Sequence, residues 1–434
     1  MTEVDRMATT AIARTIKSKQ DKQDLYPAKM PDLFPKKMKI GAKESVFDSK
    51  FGLRLNGKRV ANFSAGPAAV SDSALLKLRD EMLSFEDSGM SLMEQSHRDV
   101  GGNVQNVMEE TCQLIKDLLD VPKTHEVLLM QGGAHAQFAG VPLNLLGDKK
   151  KAAYVDGGFW SHKAAKEASR YCEPVFIAPV APDNSGKLVY PKPHTWKIPE
   201  GCAYVHICAN ETINGMEFLK DPAVGTLDCP LVGDFTSTLL SRPVDVSKYG
   251  VIYASGGKNL GPSGVCVVII NKALFGRALP ICPGMMSYAE AAVTKPLPNL
   301  FYTPNVFGMR AINIVATEYQ HWGGMKAMKA RNARRAKALY KIIDQSNGFY
   351  INHAKPEYRS TVTIPINIRN KALEAKFTRE AKECNLHHLD GHHSVGGLRV
   401  CLYNSIPDCA VECLLEFMVH FQRKYATQGA AQRR

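Results

Sequence analysis

The chain has 434 residues, 45% of them hydrophobic and 22% charged. That mix is too apolar for a disordered protein, and the length allows about two or three domains with a core large enough for an enzyme. No apolar run reaches the ~18 residues of a membrane span. The eleven cysteines include no C-x-x-C pair, and Cys208 and Cys266 lie inside apolar runs, so free thiols in a reducing compartment, the cytoplasm by default, fit better than a disulfide scaffold.

The net charge of +13 is concentrated at the start, where residues 1–60 hold 14 Lys/Arg against 7 Asp/Glu. This segment has weak hydrophobic periodicity and prolines at 27, 31 and 35. It reads as a basic extension suited to lying on another protein's surface. Within it Ala8–Gln20 carries Arg14, Lys17 and Lys19 without an acid, the pattern of a mitochondrial presequence and the alternative to a cytoplasmic address. From Asn62 the punctuation is that of an α/β protein. Val104, Val107, Met108, Thr111, Leu114, Ile115, Leu118 and Leu119 predict an amphipathic helix. A strand over Glu126–Met130 leads into the turn Gln131–Gln137 and a helix. Further short apolar strands are expected at Ala152–Val155, Val175–Val180, Ala203–Cys208, Leu231–Val232, Val251–Ala254 and Val265–Ile270, with a helix over Phe159–Tyr171. Strands this apolar, spaced by helices and glycine turns, predict a mostly parallel sheet covered on both faces. After Gly323-Gly324 the order helix, strand (Thr361–Ile368), helix, strand (Leu398–Tyr403), helix predicts a smaller α+β domain. The expected organisation is an extension at 1–60, a large domain at 61–324, a small domain at 325–426 and a tail at 427–434. The run Lys326–Lys341 has seven Lys/Arg and no acid. It reads as a helix with its charges in solvent. Without interleaved aromatics for base stacking, nucleic acid is an unlikely partner.

The chemistry concentrates after the strands. Lys258 stands in Gly256-Gly257-Lys258 between two very apolar runs, where loss of solvation lowers an ammonium's pKa and frees the amine to form a Schiff base with a carbonyl. Asp234 ends a strand 24 residues earlier, at the edge where open α/β sheets bind ligands. A lysine with a carboxylate partner for a pyridinium is the protein's contribution to pyridoxal phosphate chemistry. The turn Gly132-Gly133-Ala134-His135 opens a helix whose free N–H groups can hold a phosphate. Trp160 can stack on a flat ring, and Thr212 can donate to a ring hydroxyl. His387, His388, His392 and His393 lack the cysteine or carboxylate company of a usual zinc site, and no metal is expected.

The segments Asn62–Pro67, Ser96–Arg98, Gly132–Phe138, Asn210–Thr212, Asp234–Thr238, Gly257–Asn259 and Gly391–Arg399 together resemble the phosphoserine aminotransferase family, in order, over about five-sixths of the chain. The resemblance implies a fold-type I pyridoxal 5′-phosphate enzyme with a seven-stranded, mostly parallel sheet in its large domain. It also implies a homodimer with shared active sites that moves the amino group of L-glutamate to 3-phosphohydroxypyruvate. By position it implies Lys258 as the Schiff-base lysine and general base, Asp234 on the pyridinium and Trp160 stacked on the ring. Thr212 falls on the ring oxygen, and Ala134, His135 and Thr303, the last from the second subunit, on the cofactor phosphate. Arg399 falls on the substrate carboxylate, and His97 and Arg98 from the second subunit, with His392 and His393, on the substrate phosphate. Three positions depart from the family's pattern. Gly256-Gly257 replaces Ala-Gln, Tyr302 replaces an asparagine before Thr303-Pro304, and His393 replaces an arginine. Gly257 and Tyr302 thus remove two amides from the cofactor phosphate, and restoring glutamine at 257 is expected to tighten binding. The alternatives are a structural or interaction protein with weakened catalysis, and an aminotransferase with a changed acceptor.

Overall fold

The computed structural model describes residues 59–294 and 298–426. The basic extension, its presequence-like stretch and the tail at 427–434 lie outside the described residues. Seven strands form the central sheet: β1 (His125–Gln131), β2 (Lys151–Val155), β3 (Glu173–Ile177), β4 (Cys202–Cys208), β5 (Leu231–Asp234), β6 (Val251–Ser255) and β7 (Val265–Asn271). Their order across the sheet is β1-β7-β6-β5-β4-β2-β3. β7 runs antiparallel to both its neighbours and the other contacts are parallel. Two reversals cancel, so β1 points the same way as β6, and the carboxyl ends of six strands share one edge. Every residue of β4 is buried. Successive residues feed opposite faces, Val127 and Leu129 entering one apolar cluster and Leu128 and Met130 another, which is why these strands read as continuous apolar runs.

Nine helices are described: α1 (Asp72–Asp80), α2 (Asn103–Leu119), α3 (Ala134–Leu145), α4 (Phe159–Ala168), α5 (Tyr288–Val293), α6 (Val306–His321), α7 (Gly324–Asp344), α8 (Glu374–Glu383) and α9 (Asp408–Ala426). No described helix is long and apolar enough to cross a membrane. α2 buries Val104, Val107, Met108, Thr111 and Ile115 as its periodicity predicts. An antiparallel sheet of β8 (Tyr350–Ile351), β9 (Thr363–Ile368) and β10 (Leu398–Cys401) joins α7, α8 and α9 around a separate apolar cluster. Ala61 and Phe63 belong to that cluster too, because Ala61–Asn62 pairs in parallel with Leu386–His387.

The basic run on α7 is not a purely solvated face. Lys326, Lys329, Lys337 and Lys341 are exposed, but Arg331 and Arg335 are buried. Both guanidinium groups bind the Asp408 carboxylate at the start of α9, and both also donate to the Ile406 carbonyl. Burial pushes the Arg335 pKa down to about 9 against the pull of Asp408. Asp408→Ala would leave two buried cations without a counter-ion, and the expected loss is about 3–5 kcal/mol of stability. Denaturant unfolding followed by circular dichroism measures it; a loss below about 1 kcal/mol would show that these charges are solvated after all.

Candidate active site

The shared carboxyl edge is where the sequence-predicted groups meet. β1 ends in Gln131 and turns through Gly132, whose φ of +91° favours glycine, into α3. Among the described residues the N–H groups of Gly133, Ala134 and His135 have no acceptor, as the first turn of a helix leaves them. A Cβ on Gly133 would sit 3.3 Å from Ser255 Oγ, so the turn lies directly against the end of β6. His135, exposed at the start of α3, faces Trp160 at the start of α4, with ring centroids 6.0 Å apart at 81°.

Asp234 and Lys258 occupy the middle of this edge. Asp234 is the last residue of β5, 6% exposed, and stands opposite Cys208 on one neighbouring strand and Tyr253 on the other. Burial raises its pKa. The Thr236 N–H and hydroxyl, the Lys258 charge and the nearby Tyr253 hydroxyl pull it back. The Thr236 N–H lies 2.9 Å from Asp234 Oδ1. The Thr236 hydroxyl accepts from the Ser255 N–H at 3.3 Å, which leaves its hydrogen for Asp234. Lys258 has its pKa lowered by burial, with Asp234 among the groups opposing the shift. Its amine makes no hydrogen bond among the described residues, and the loop Ser64–Pro67 covers it. Gly66 lies so close that an added Cβ would be 3.5 Å from Lys258 Cε, and Ala68 donates its N–H to the Gly257 carbonyl at 2.9 Å.

Trp160 and Thr212 are joined directly, the indole Nε1–H donating to Thr212 Oγ1 at 2.8 Å. That hydroxyl keeps its own hydrogen to give. Beneath them lies Glu211, a residue whose role the sequence did not disclose. Its carboxylate accepts from the N–H groups of Trp160 and Ser161, at 3.1 and 2.7 Å, and so ties the start of α4 to the end of β4. It is fully buried, and burial raises its pKa to about 7 against those two hydrogen bonds. A strand-end glutamate is normally read as solvent-facing, and only the folded contact reveals its partners.

The C-terminal segment supplies the rest. Arg399 on β10 is half-buried, its guanidinium makes no hydrogen bond or ion pair among the described residues, and its charge is felt at Lys258 and His392. His392 packs on Phe159 at the start of α4, with centroids 5.1 Å apart, and on the exposed His393 at 4.0 Å. No hydrogen bond, ion pair or ring contact joins His97 or Arg98 to these groups. They lie on the loop before α2, where Gln105 Nε2 holds the His97 carbonyl at 3.1 Å. Tyr302 and Thr303 dock on their own chain's β1. The Tyr302 hydroxyl takes the Gln131 N–H at 2.7 Å, and the Thr303 carbonyl takes Gln131 Nε2 at 3.0 Å.

The model of the class-V aminotransferase family matches residues 60–413. Phosphoserine aminotransferases from Burkholderia multivorans and Lysinibacillus sphaericus are 41% and 43% identical to this chain over 368 residues, 85% of it and 100% and 99% of their own lengths. The chain belongs to the phosphoserine aminotransferases of class V. The chloroplastic phosphoserine aminotransferase 2 of Arabidopsis thaliana is 41% identical over 85% of the chain and 86% of its own length. The solved phosphoserine aminotransferase from Bacillus circulans subsp. alkalophilus superposes with a TM-score of 0.79 at 36% identity, covering 84% of this chain and 99% of that one. A PLP-bound phosphoserine aminotransferase from Trichomonas vaginalis gives 0.76 at 36% identity, covering 83% and 100%. The fold expected from the sequence is therefore that of the family.

The departure from the family's pattern at Gly256-Gly257 has a structural cause. A Cβ on Gly256 would lie 2.1 Å from the Pro262 carbonyl oxygen, and Gly257 has φ +92°. Glutamine at 257 would have room, at 3.6 Å from Ser263 Cβ, but a strained backbone. Gly257→Gln should therefore lower thermal stability, by about 1–2 kcal/mol, and Gly256→Ala should lower it further; equal melting temperatures for parent and Gly256→Ala would show that the loop has another conformation. Glu211 gives a pH test. A carboxyl whose folded pKa is raised costs stability as pH rises from its unfolded value near 4.5 through about 7. The parent should lose up to about 3 kcal/mol over that window from this group, and Glu211→Gln should lose correspondingly less. Chemical denaturation of both at pH 5 and pH 8 reads the difference, and parallel pH profiles would show that Glu211 does not titrate there.

Proposed function

We propose that this chain binds pyridoxal 5′-phosphate and transfers the amino group of L-glutamate to 3-phosphohydroxypyruvate, giving O-phospho-L-serine and 2-oxoglutarate. The observation that carries the reading is the convergence of Lys258, Asp234, the free N–H groups at the start of α3 and the Trp160–Thr212 pair on one edge of the sheet. The residues fit the cofactor: a helix start with three N–H groups lacking acceptors suits a phosphate, a buried carboxylate suits a protonated ring nitrogen, and an amine without a hydrogen bond lies at the same edge of the sheet. Bound there, pyridoxal phosphate supplies the carbonyl that takes up the amino group and the ring that withdraws electrons from the substrate's Cα.

The chain's own residues do the rest. Asp234 holds the proton on the ring nitrogen. Thr212, oriented by the Trp160 indole, donates to the ring oxygen. Lys258, its ammonium disfavoured by burial, moves the α-proton as the neutral amine. Arg399 takes the substrate carboxylate by two parallel N–H bonds, which a guanidinium without an internal partner is free to make. His392 Nδ1 accepts from the Ser394 N–H at 3.2 Å. Its ring proton then sits on Nε2, a donor for a phosphate oxygen. Burial and the neighbouring His393, Arg399 and Lys163 lower its pKa, so it serves as a neutral donor near pH 7.

His97, Arg98 and Thr303 are read as reaching the site of a second copy. Supporting this, Leu83, Met90, Met93 and Val100 are exposed on the segment that carries His97 and Arg98, and Ile281, Met285 and Phe301 are exposed before Thr303. Exposed apolar segments of this extent mark interaction surfaces. We also read residues 61–324 as the cofactor-binding domain and 325–426 as the smaller one; most of their core residues fall in different apolar clusters, with Ala61 and Phe63 joining the second and Met325, Met328 and Ala354 the first.

The reading is tested by adding pyridoxal phosphate to the parent and to Lys258→Ala and following the visible spectrum through additions of L-glutamate and then 3-phosphohydroxypyruvate. A band that needs Lys258, is bleached by glutamate and is restored by the phosphorylated oxo acid is expected. Restoration by pyruvate in preference to the phosphorylated acid would assign a different acceptor, and a spectrum identical in parent and variant would sink the enzyme reading.

A further inference from the structure

Behind Asp234 the sheet carries a buried polar chain that the chemistry above does not use. His206 on β4 stands opposite Val232 of β5, and Tyr253 of β6 stands opposite Asp234. Val232 and Asp234 are two residues apart on one strand, so His206, Asp234 and Tyr253 all project from the same face. His206 is 2% exposed and Tyr253 fully buried. His206 Nε2 lies 2.9 Å from the Tyr253 hydroxyl, and His206 Nδ1 is buried with no hydrogen-bond partner. The imidazole is held against Tyr154, ring centroids 5.0 Å apart and 30° from parallel, and Tyr154 is itself fixed by a 2.6 Å hydroxyl contact with Tyr204.

The hydrogen count decides the direction of this chain. Burial pushes the His206 pKa down to about 3, so the ring is neutral and carries a single N–H. With the proton on Nδ1, that buried donor would have no acceptor, and the Tyr253 hydroxyl would spend its only hydrogen on Nε2. With the proton on Nε2, His206 donates to Tyr253, and the tyrosine hydrogen is left for the Asp234 carboxylate. The second arrangement satisfies the one buried N–H of His206 and frees the tyrosine hydrogen for the carboxylate that stands opposite it on β5, in a low-dielectric interior where a missing donor is most costly.

We propose that His206 is a positioning residue for the cofactor site: its Nε2–H, given to Tyr253, directs the tyrosine hydroxyl onto Asp234 and so keeps that carboxylate charged and oriented towards the cofactor's ring nitrogen. The inference rests on the reading of Asp234 as the pyridinium partner. It assigns to two buried residues of the sheet interior a part in cofactor binding that acts through Asp234.

The test has two arms. In the first, the cofactor-free full chain labelled with ¹⁵N-histidine is examined by NMR, the His206 signals being those lost in His206→Phe. The expected pattern is a protonated Nε2 and a bare Nδ1, unchanged between pH 5 and pH 9; a protonated Nδ1 overturns the proposal. In the second, the dissociation constant of pyridoxal phosphate is measured by absorbance titration of the parent, His206→Phe, His206→Gln, Tyr253→Phe and the double variant His206→Phe/Tyr253→Phe, each first shown to be folded by its near-ultraviolet circular dichroism. His206→Phe keeps the stack on Tyr154 and removes the donor, and Tyr253→Phe removes the relay. Each should weaken binding about tenfold, the scale of one hydrogen bond to a charged group. The double variant should be no weaker than Tyr253→Phe alone, because both substitutions break one chain. His206→Gln, whose amide can donate in place of Nε2–H, should return to within about threefold of the parent. Unchanged affinity in His206→Phe, or losses that multiply in the double variant, overturns the proposal. A parent that forms no Lys258-dependent band would instead refute the cofactor reading, and the NMR arm would then decide the direction of the relay by itself.

Discussion

The structure is organised around an anion kept in the wrong place. Asp234 closes a strand whose four residues are all buried, in an interior where an isolated carboxylate would take up a proton. What opposes this is a set of groups from three directions: Thr236 from the following turn, Lys258 from the loop after the next strand and Tyr253 from that strand itself. None of these donors is independent of the fold. Thr236 can aim its hydrogen at Asp234 because its oxygen is taken by the Ser255 N–H, and Tyr253 stands opposite because β5 and β6 pair in parallel at that register. A shift of one residue between these strands would put Tyr253 on the other face and leave the carboxylate one donor short. The register of the sheet and the charge of the site are thus one constraint.

The same constraint explains the shape of the lysine loop. Lys258 has to return over the edge of the sheet from the end of β6, and the chain makes room through Gly256, which faces the Pro262 carbonyl, and Gly257 at positive φ. The Gly257 carbonyl then receives Ala68 from the segment that covers the lysine. Seen this way, the two glycines are matched to Pro262 and to Gly66. A glutamine at 257 would find room for its side chain but would have to hold the backbone at positive φ.

Much of this was legible in the sequence, and the reasons differ by residue. The strands were visible because both faces of the sheet are apolar, so each appeared as an unbroken run bounded by glycine, and the structure moves their ends by only a few residues, as from Val175–Val180 to Glu173–Ile177. Lys258, Asp234, Trp160 and Thr212 were visible because each follows a strand, and open sheets bind at that edge. Arg331 and Arg335 were not, since a helix period assigns faces and cannot show that one acid, Asp408, 77 and 73 residues away, turns two outward-reading charges inward. Glu211 and His206 were hidden for a related reason. Their partners, the N–H groups of Trp160 and Ser161 and the Tyr253 hydroxyl, lie about 50 residues distant, and polar residues within a run give no sign of whether they are paired.

The distribution of the site along the chain has a mechanical consequence. Lys258, Asp234, Trp160 and Thr212 come from the edge of the central sheet, whereas Arg399 and His392 come from the C-terminal segment, and α7 links the two parts, with Met325 and Met328 in a cluster of the central sheet and Leu339 and Ile343 in the C-terminal one. The two are also tied at the other end of the sequence, where Ala61–Asn62 pairs with Leu386–His387 and the next residues cover Lys258. The segment that covers Lys258 and the strand that carries Arg399 thus pack on one apolar cluster through Ala61, Phe63, Leu398 and Val400, so the cover over the amine and the place of the guanidinium are set by the same core.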